Sequence, residues 1–285
     1  MRRSYEMGGQ AREPTLARPG HGAQPPVAAA PWGRAGLAAL SLAVPVVGLV
    51  LGQALLLPRR FGVPPTLAVV DVTVLPSTES LTSAARVVEM AAFGDSAMAG
   101  VGVHELEEAL PVQLAQRVAD ATGRPVHVVG YARSGARTID VLTEQVPLVR
   151  QRPDVSVLVV GTNDVMHVTA PVTLSRSSRA LLDALESLGA SVVMSSLPRF
   201  RVMRLLPHPL MEVVIAYGAV VGAVQRRAAA PRPLVRHVDV GGAVGPEYFA
   251  DAGTLSPDAF HPSAAGYGRI ADALLPAVLS VLEMP

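Results

Sequence analysis

The sequence predicts an α/β fold: a three-layer α/β/α sandwich around a five-stranded parallel sheet. Three observations predict it. From about residue 88 onward, short β-branched apolar runs alternate with longer segments of helical apolar spacing. The run "VSVLVVGTND", 155–164, is apolar throughout its strand portion, as a strand buried on both faces must be. Small polar clusters follow each of the first three runs, "GDSAMAG" at 94–100, "RSGART" at 133–138 and "GTND" at 161–164. In open parallel sheets, sites form outside the carboxyl ends of the strands. All three clusters should therefore leave the same edge.

The elements follow in order. "RVVEMAAFG" is the first strand and ends at Gly94. "ELEEALPVQLAQRVADATG" has helical spacing and stops on Gly123, a residue that accepts the left-handed backbone of a helix end. "PVHVVGYA" is the second strand and "TIDVLTEQVPLV" the second helix, ahead of the 155–164 strand. A helix around 172–188, strand "SVVMSSLP", a long apolar helix around 209–229, strand "LVRHVDVG" and a final helix over 264–282 complete the series. Ser263 stands where it can cap that last helix.

The region before residue 88 reads differently. Residues 1–34 are rich in Pro, Gly, Ala and Arg without apolar periodicity, the composition of a disordered basic tail. Residues 35–57, "AGLAALSLAVPVVGLVLGQALLL", carry no charge and are long enough to cross a bilayer, which takes about 20 residues. Arg2, Arg3, Arg12, Arg18 and Arg34 precede them, which favours a cytoplasmic tail and an extracytoplasmic remainder. The expectation is an uncleaved membrane anchor. A secreted form cleaved near "GQA" at 52–54 and a buried helix of the soluble domain are the alternatives. Residues 58–87 read as a linker, within which "TLAVVDVTVL" is a segment that can pack on the domain edge.

Composition narrows the chemistry. With 24 basic and 23 acidic residues the chain lacks the excess charge of a nucleic-acid binder. Every basic residue is arginine, so Ser–Lys dyads, lysine Schiff bases and a P-loop lysine are excluded. Cysteine is absent, which removes disulfides, thiolate metal sites and cysteine nucleophiles. The seven histidines show no i, i+4 pair of the kind that binds zinc on a helix, and no metal or cofactor is expected.

The clusters suggest nucleophilic catalysis. Ser96 follows the first strand at a strand-to-helix turn, where free N–H groups and a helix dipole favour negative charge. A serine hydroxyl needs a base. "SPDAFHPSAAGYG", 256–268, offers His261 with Asp258 three residues before it, a spacing that lets the carboxylate hold one imidazole nitrogen while the other faces the serine. The N–H groups of Ser96 and Gly135 and the side-chain amide of Asn163 are candidate donors to an oxyanion. Read singly, Ser96 is a helix cap, Gly135 and Asn163 are turn formers, and Asp258 with His261 is a surface turn. Asp95 and Asp164 read as loop-holding carboxylates, His104 and His167 as cleft-lining or solvated, and Arg133 and Arg137 as exposed cations open to an anionic substrate. Residues 200–225 read either as a wall or lid of an acyl pocket or as a core-packed helix.

In their order, "GDS" with Ser96, "SG" with Gly135, "GTND" with Asn163 and "DAFH" with Asp258 and His261 resemble the sequence blocks of the SGNH hydrolase superfamily, the GDSL-type esterases and lipases. The resemblance covers about residues 88–283. "GDSA" departs from the name-giving leucine, and Met98 rules out the G-x-S-x-G elbow of the α/β-hydrolases. The resemblance implies a flavodoxin-like sheet, Ser96 as nucleophile, His261 as general base and acid, Asp258 as its orienter, and Ser96, Gly135 and Asn163 as oxyanion donors. It implies a serine esterase acting on a small-molecule, lipid or glycan ester. Acyl transfer or deacetylation on an envelope glycan, and a catalytically idle lipid- or glycan-binding domain, are the rival expectations. The sequence assigns no oligomeric state.

Overall fold

The computed structural model describes residues 69–77, 86–202 and 206–283, with isolated positions 49, 52 and 53. The expected tail, most of the expected membrane segment and part of the expected linker lie outside the described residues.

The strands are β1 (Asp71–Val74), β2 (Val88–Gly94), β3 (Val126–Gly130), β4 (Val155–Val159), β5 (Ser191–Ser195) and β6 (Val235–Val238), in the spatial order β1-β3-β2-β4-β5-β6. Strands β2 to β6 are the five parallel strands expected from sequence. The sheet has a sixth member. β1 arises inside the stretch read as linker and pairs antiparallel with β3, Asp71 opposite Val129 and Val74 opposite Val126. His127 of β3 clasps this edge, its ring nitrogens 2.9 Å from Asp71 Oδ1 and 2.8 Å from Glu89 Oε2. Hydrogen bonding from Asp71, then Glu89, raises the His127 pKa above its ordinary value.

Among the described residues, the helices of eight or more residues are α1 (Leu110–Thr122), α3 (Pro171–Ser187), α4 (Leu210–Ala229), α5 (Val240–Ala250) and α6 (Ala264–Leu282); α2 is a short helix, Thr162–Met166. Alternation along β2 shows why two layers are needed. Val88, Met90 and Ala92 enter one core with α1 and α6, whereas Ala91 and Phe93 enter another with Leu181, Leu182 and Leu185 of α3. α1 ends on Gly123 in the left-handed conformation and α6 begins at Ser263, whose Oγ accepts from Gly266 N at 3.2 Å, as expected for both ends. α6 has the length and apolar content of a membrane span. Here Tyr267, Ala271, Leu274 and Val278 are fully buried in the first core, which accounts for its apolar face.

Three expectations about helices need correction. "TIDVLTEQVPLV" is a distorted segment: a turn at Thr138–Asp140, a π stretch at Val141–Gln145 and a 3-10 turn at Val146–Leu148. Pro147 supplies no N–H to continue the ladder, and Gln145 is drawn inward to the end of β2. Residues 96–102 after β2 are turns, closed by Ala99 N to Asp95 O and Val101 N to Ser96 O, so Ser96 has no helix of its own to provide a dipole. α5, rich in glycine, was not anticipated at all.

Candidate active site

β2 and β4 are neighbours, and at their carboxyl ends the chain leaves β2 toward β3 on one side and β4 toward β5 on the other. That is the switch point where a doubly wound sheet opens a crevice. Gly94 closes β2 with φ 149°, and a Cβ there would fall 2.0 Å from Val159 O. Only glycine lets the two strand ends approach so closely. The Gln145 side chain fixes the same point by donating to Gly94 O at 2.8 Å and accepting from Gly94 N at 3.0 Å. Nothing in the sequence signalled this clamp, because its partners are 51 positions apart.

Ser96 is thereby held at the sheet edge, half-buried. His261 arrives from a turn closed by the Leu255–Pro262 bridge, and its Nε2 lies 3.0 Å from Ser96 Oγ. The other ring nitrogen, Nδ1, lies 2.6 Å from Asp258 Oδ2. The remaining oxygen, Asp258 Oδ1, accepts from Ser256 Oγ at 2.6 Å and from the N–H groups of Phe260 and His261, each at 2.9 Å. Burial alone pushes this carboxyl up. The hydrogen bonds from His261, Ser256 and the two backbone groups outweigh it and hold Asp258 below the usual carboxylate range. Ser256 was not singled out in the sequence, although a hydroxyl two residues before a carboxylate in a turn is a readable signal.

The candidate oxyanion donors come from three separate loops. Asn163 sits in α2, and its Nδ2 donates to Ala136 O at 3.1 Å, tying it to the residue beside Gly135 and leaving its second amide hydrogen without an acceptor among the described residues. Gly135 is exposed with φ 82°, and nothing lies within 4 Å of where a Cβ would stand. Among the described residues, the N–H groups of Ser96 and Gly135 likewise have no acceptor.

Behind the serine are two buried carboxyls. Asp164 accepts from Thr138 N at 2.9 Å and Thr138 Oγ1 at 2.7 Å, which holds the second loop against the third. Asp95, 3% exposed, accepts from Ala97 N at 3.1 Å. Burial pushes Asp95 up to about 7, with the Asp164 carboxylate adding to the rise and the N–H of Ala97 opposing it.

The other singled-out residues are not gathered into this centre. His104 and His167 are exposed and do not line the cavity beside Ser96. Arg133 pairs with Glu144 and Arg137 with Asp140. The 200–225 stretch stands away from Ser96: the cavity beside the serine is walled instead by residues after β5, by α5 and by the turn that carries His261.

A hydroxyl bonded to an imidazole that is itself bonded to a carboxylate is a device for making an alkoxide-like nucleophile at neutral pH. Known proteins resemble the chain over the domain that holds this site. Residues 92–269 match the sequence profile of the GDSL-like Lipase/Acylhydrolase family. The chain is 30% identical over 206 residues to a GDSL-like esterase of Mycobacterium tuberculosis, an alignment over 68% of this chain and 63% of that protein. Among solved structures, LAE5, an alpha/beta hydrolase enzyme from the metagenome of Lake Arreo, shares the fold with TM-score 0.54 at 21% identity, over 69% of this chain and 97% of that one. A family 3 carbohydrate esterase of Clostridium thermocellum does so with TM-score 0.54 at 19% identity, over 69% and 98%.

Proposed function

The chain belongs to the GDSL-like lipase/acylhydrolase family, and from that premise we propose that it cleaves carboxylic esters through an acyl-serine intermediate, with Ser96, His261 and Asp258 as its triad. The single observation that carries this is the unbroken path from Asp258 Oδ2 through His261 to Ser96 Oγ, at 2.6 Å and 3.0 Å. The description of the mycobacterial relative as an esterase supports the same reading.

His261 Nε2 takes the Ser96 proton as Oγ attacks the ester carbonyl. The imidazolium, stabilised by an Asp258 that stays ionised, then returns that proton to the leaving alcohol. Water deprotonated by the same nitrogen adds to the acyl-enzyme, and collapse releases the acid and regenerates Ser96. In both tetrahedral intermediates the oxyanion receives the N–H groups of Ser96 and Gly135 and the free amide hydrogen of Asn163. Each such donor is worth about 10²–10³ in rate.

An alkyl fluorophosphonate should inactivate the protein with one adduct per chain, and peptide mapping should place the adduct on Ser96. Labelling elsewhere, or none in a folded sample, refutes the assignment.

We further propose that residues 35–57 anchor the chain in a membrane, with 1–34 as a cytoplasmic tail, 58–87 leading out and the catalytic domain of 88–285 outside the cytoplasm. The uncharged stretch and the arginines that precede it support this. Gln53 near its end donates to His208 O at 2.8 Å and accepts from Leu210 N at 3.2 Å, so the anchor would meet the folded domain at the start of α4. In intact spheroplasts, added protease should degrade the catalytic domain. Full protection until lysis would reverse the topology.

A further inference from the structure

Ser96 and His261 both open onto a cavity of about 90 Å³ whose other walls include Val240, Val244, Leu255, Phe260 and Ile270. Its lining is mainly apolar. Ser196, Pro198, Arg199 and Gly241 form one side of it, and the same four residues also bound a second cavity of about 340 Å³ that runs along Ile215, Gly218 and Gly222 of α4. They are a partition. Arg199 is pinned there by its Nε, which donates to Gly241 O at 3.0 Å, and its side-chain stem lies over Gly245, 3.5 Å from where a Cβ would stand.

Resting on the reading that Ser96 is acylated, we infer that the smaller cavity is the acyl pocket, that it admits unbranched acyl groups of two to four carbons, and that the Arg199 partition sets the upper limit. The cavity volume sets the count: an apolar cavity of about 150 Å³ takes a benzene ring, so 90 Å³ takes about four carbons. Its apolar wall, against the exposed Gly135 loop, sets the side. The acyl group stays in place beside Ser96 from attack, through the acyl-enzyme, to release as the acid, whereas the alcohol must leave and water must enter before deacylation. The route for alcohol and water is on the Gly135 side, where the loop is exposed and no atom crowds the glycine.

The test is a series of p-nitrophenyl esters from acetyl to decanoyl on the full chain, with Ser96→Ala as the blank. Each methylene that enters the pocket should raise kcat/KM about fourfold. The expected profile therefore climbs about sixteenfold from acetyl to butyryl and falls at least tenfold by octanoyl, where further atoms overpack the site. Arg199→Ala should join the two cavities and restore octanoyl to within about threefold of butyryl. Gly245→Ala should act in the opposite sense and move the optimum to acetyl.

A wild-type profile that is flat or still climbing at decanoyl overturns the proposal, as does an Arg199→Ala profile that coincides with wild type. So does a series of acetate esters in which the sharp length limit follows the alcohol instead of the acyl group. In all three cases Ser96-dependent hydrolysis persists, so the esterase reading survives. Absence of Ser96-dependent hydrolysis of every ester removes that reading, and the acyl pocket with it.

Discussion

Asp258→Asn is expected to lower kcat by about 10⁴ with little change in the folded structure. The reason lies in how the carboxylate is held. Three donors converge on Oδ1: the Ser256 hydroxyl and the N–H groups of Phe260 and His261. An asparagine at this position must present its oxygen to those donors, which turns its NH₂ toward His261 Nδ1. That nitrogen now has to accept. The imidazole adopts the other tautomer, with its proton on Nε2 facing Ser96, and the general base is lost although every heavy atom remains near its place. Removing the reacting groups themselves costs more: Ser96→Ala and His261→Ala should each lose about 10⁶ in kcat. Because such groups act as a unit, the Ser96→Ala, His261→Ala double variant should be no slower than either single one. Steady-state kinetics on one ester, alongside circular dichroism and thermal midpoints, decides the matter. An Asp258→Asn enzyme within tenfold of wild type would mean that the carboxylate does not set the tautomer.

The second large effect is on stability. Asp95 is neutral at mildly acidic pH in the folded protein because burial, helped by Asp164, pushes it from 3.8 to about 7. A folded pKa above the unfolded one means the native state holds a proton that the unfolded chain releases. The protein thus loses stability as pH rises from 4 to 7, and above that range the loss is complete, at up to about 4 kcal/mol. Asp95→Asn removes the ionisation while keeping an oxygen to accept the N–H of Ala97. It also removes the charge whose repulsion with the buried Asp164 carboxylate adds to the rise. Urea denaturation monitored by circular dichroism should find the variant the more stable at pH 8, by up to about 4 kcal/mol, with the two proteins converging near pH 4. Parallel pH dependences would show that Asp95 is ionised throughout. The carboxyl is thus a cost carried directly behind Ser96, the kind of local expense that functional sites accumulate.

The arrangement around Ser96 was legible in the sequence only as a set of blocks. The order of Ser96, Gly135, Asn163 and the Asp258–His261 pair indicated a triad and its donors: the first three follow β2, β3 and β4, whose common direction the α/β alternation set, whereas the Asp258–His261 pair was read from its three-residue spacing and from the family resemblance. The contact between Ser96 and His261, 165 positions apart, is a tertiary fact. The same holds for the Gln145 clamp on Gly94, 51 positions apart.

By itself the sequence determined the parallel sheet, the two buried faces of β4, the stop at Gly123 and the cap at Ser263, since all of these are encoded in neighbours a few residues apart. Tertiary structure alone decided that Asp71–Val74 would become a sixth strand, that Thr138–Leu148 would break into three kinds of turn, and that α5 would line the pocket beside the nucleophile. The physical reason is one of range. Periodicity and capping act along the chain, whereas an edge strand, a π stretch, a glycine-rich helix and a carboxyl near pH 7 depend on what another segment brings against them and how much water it removes.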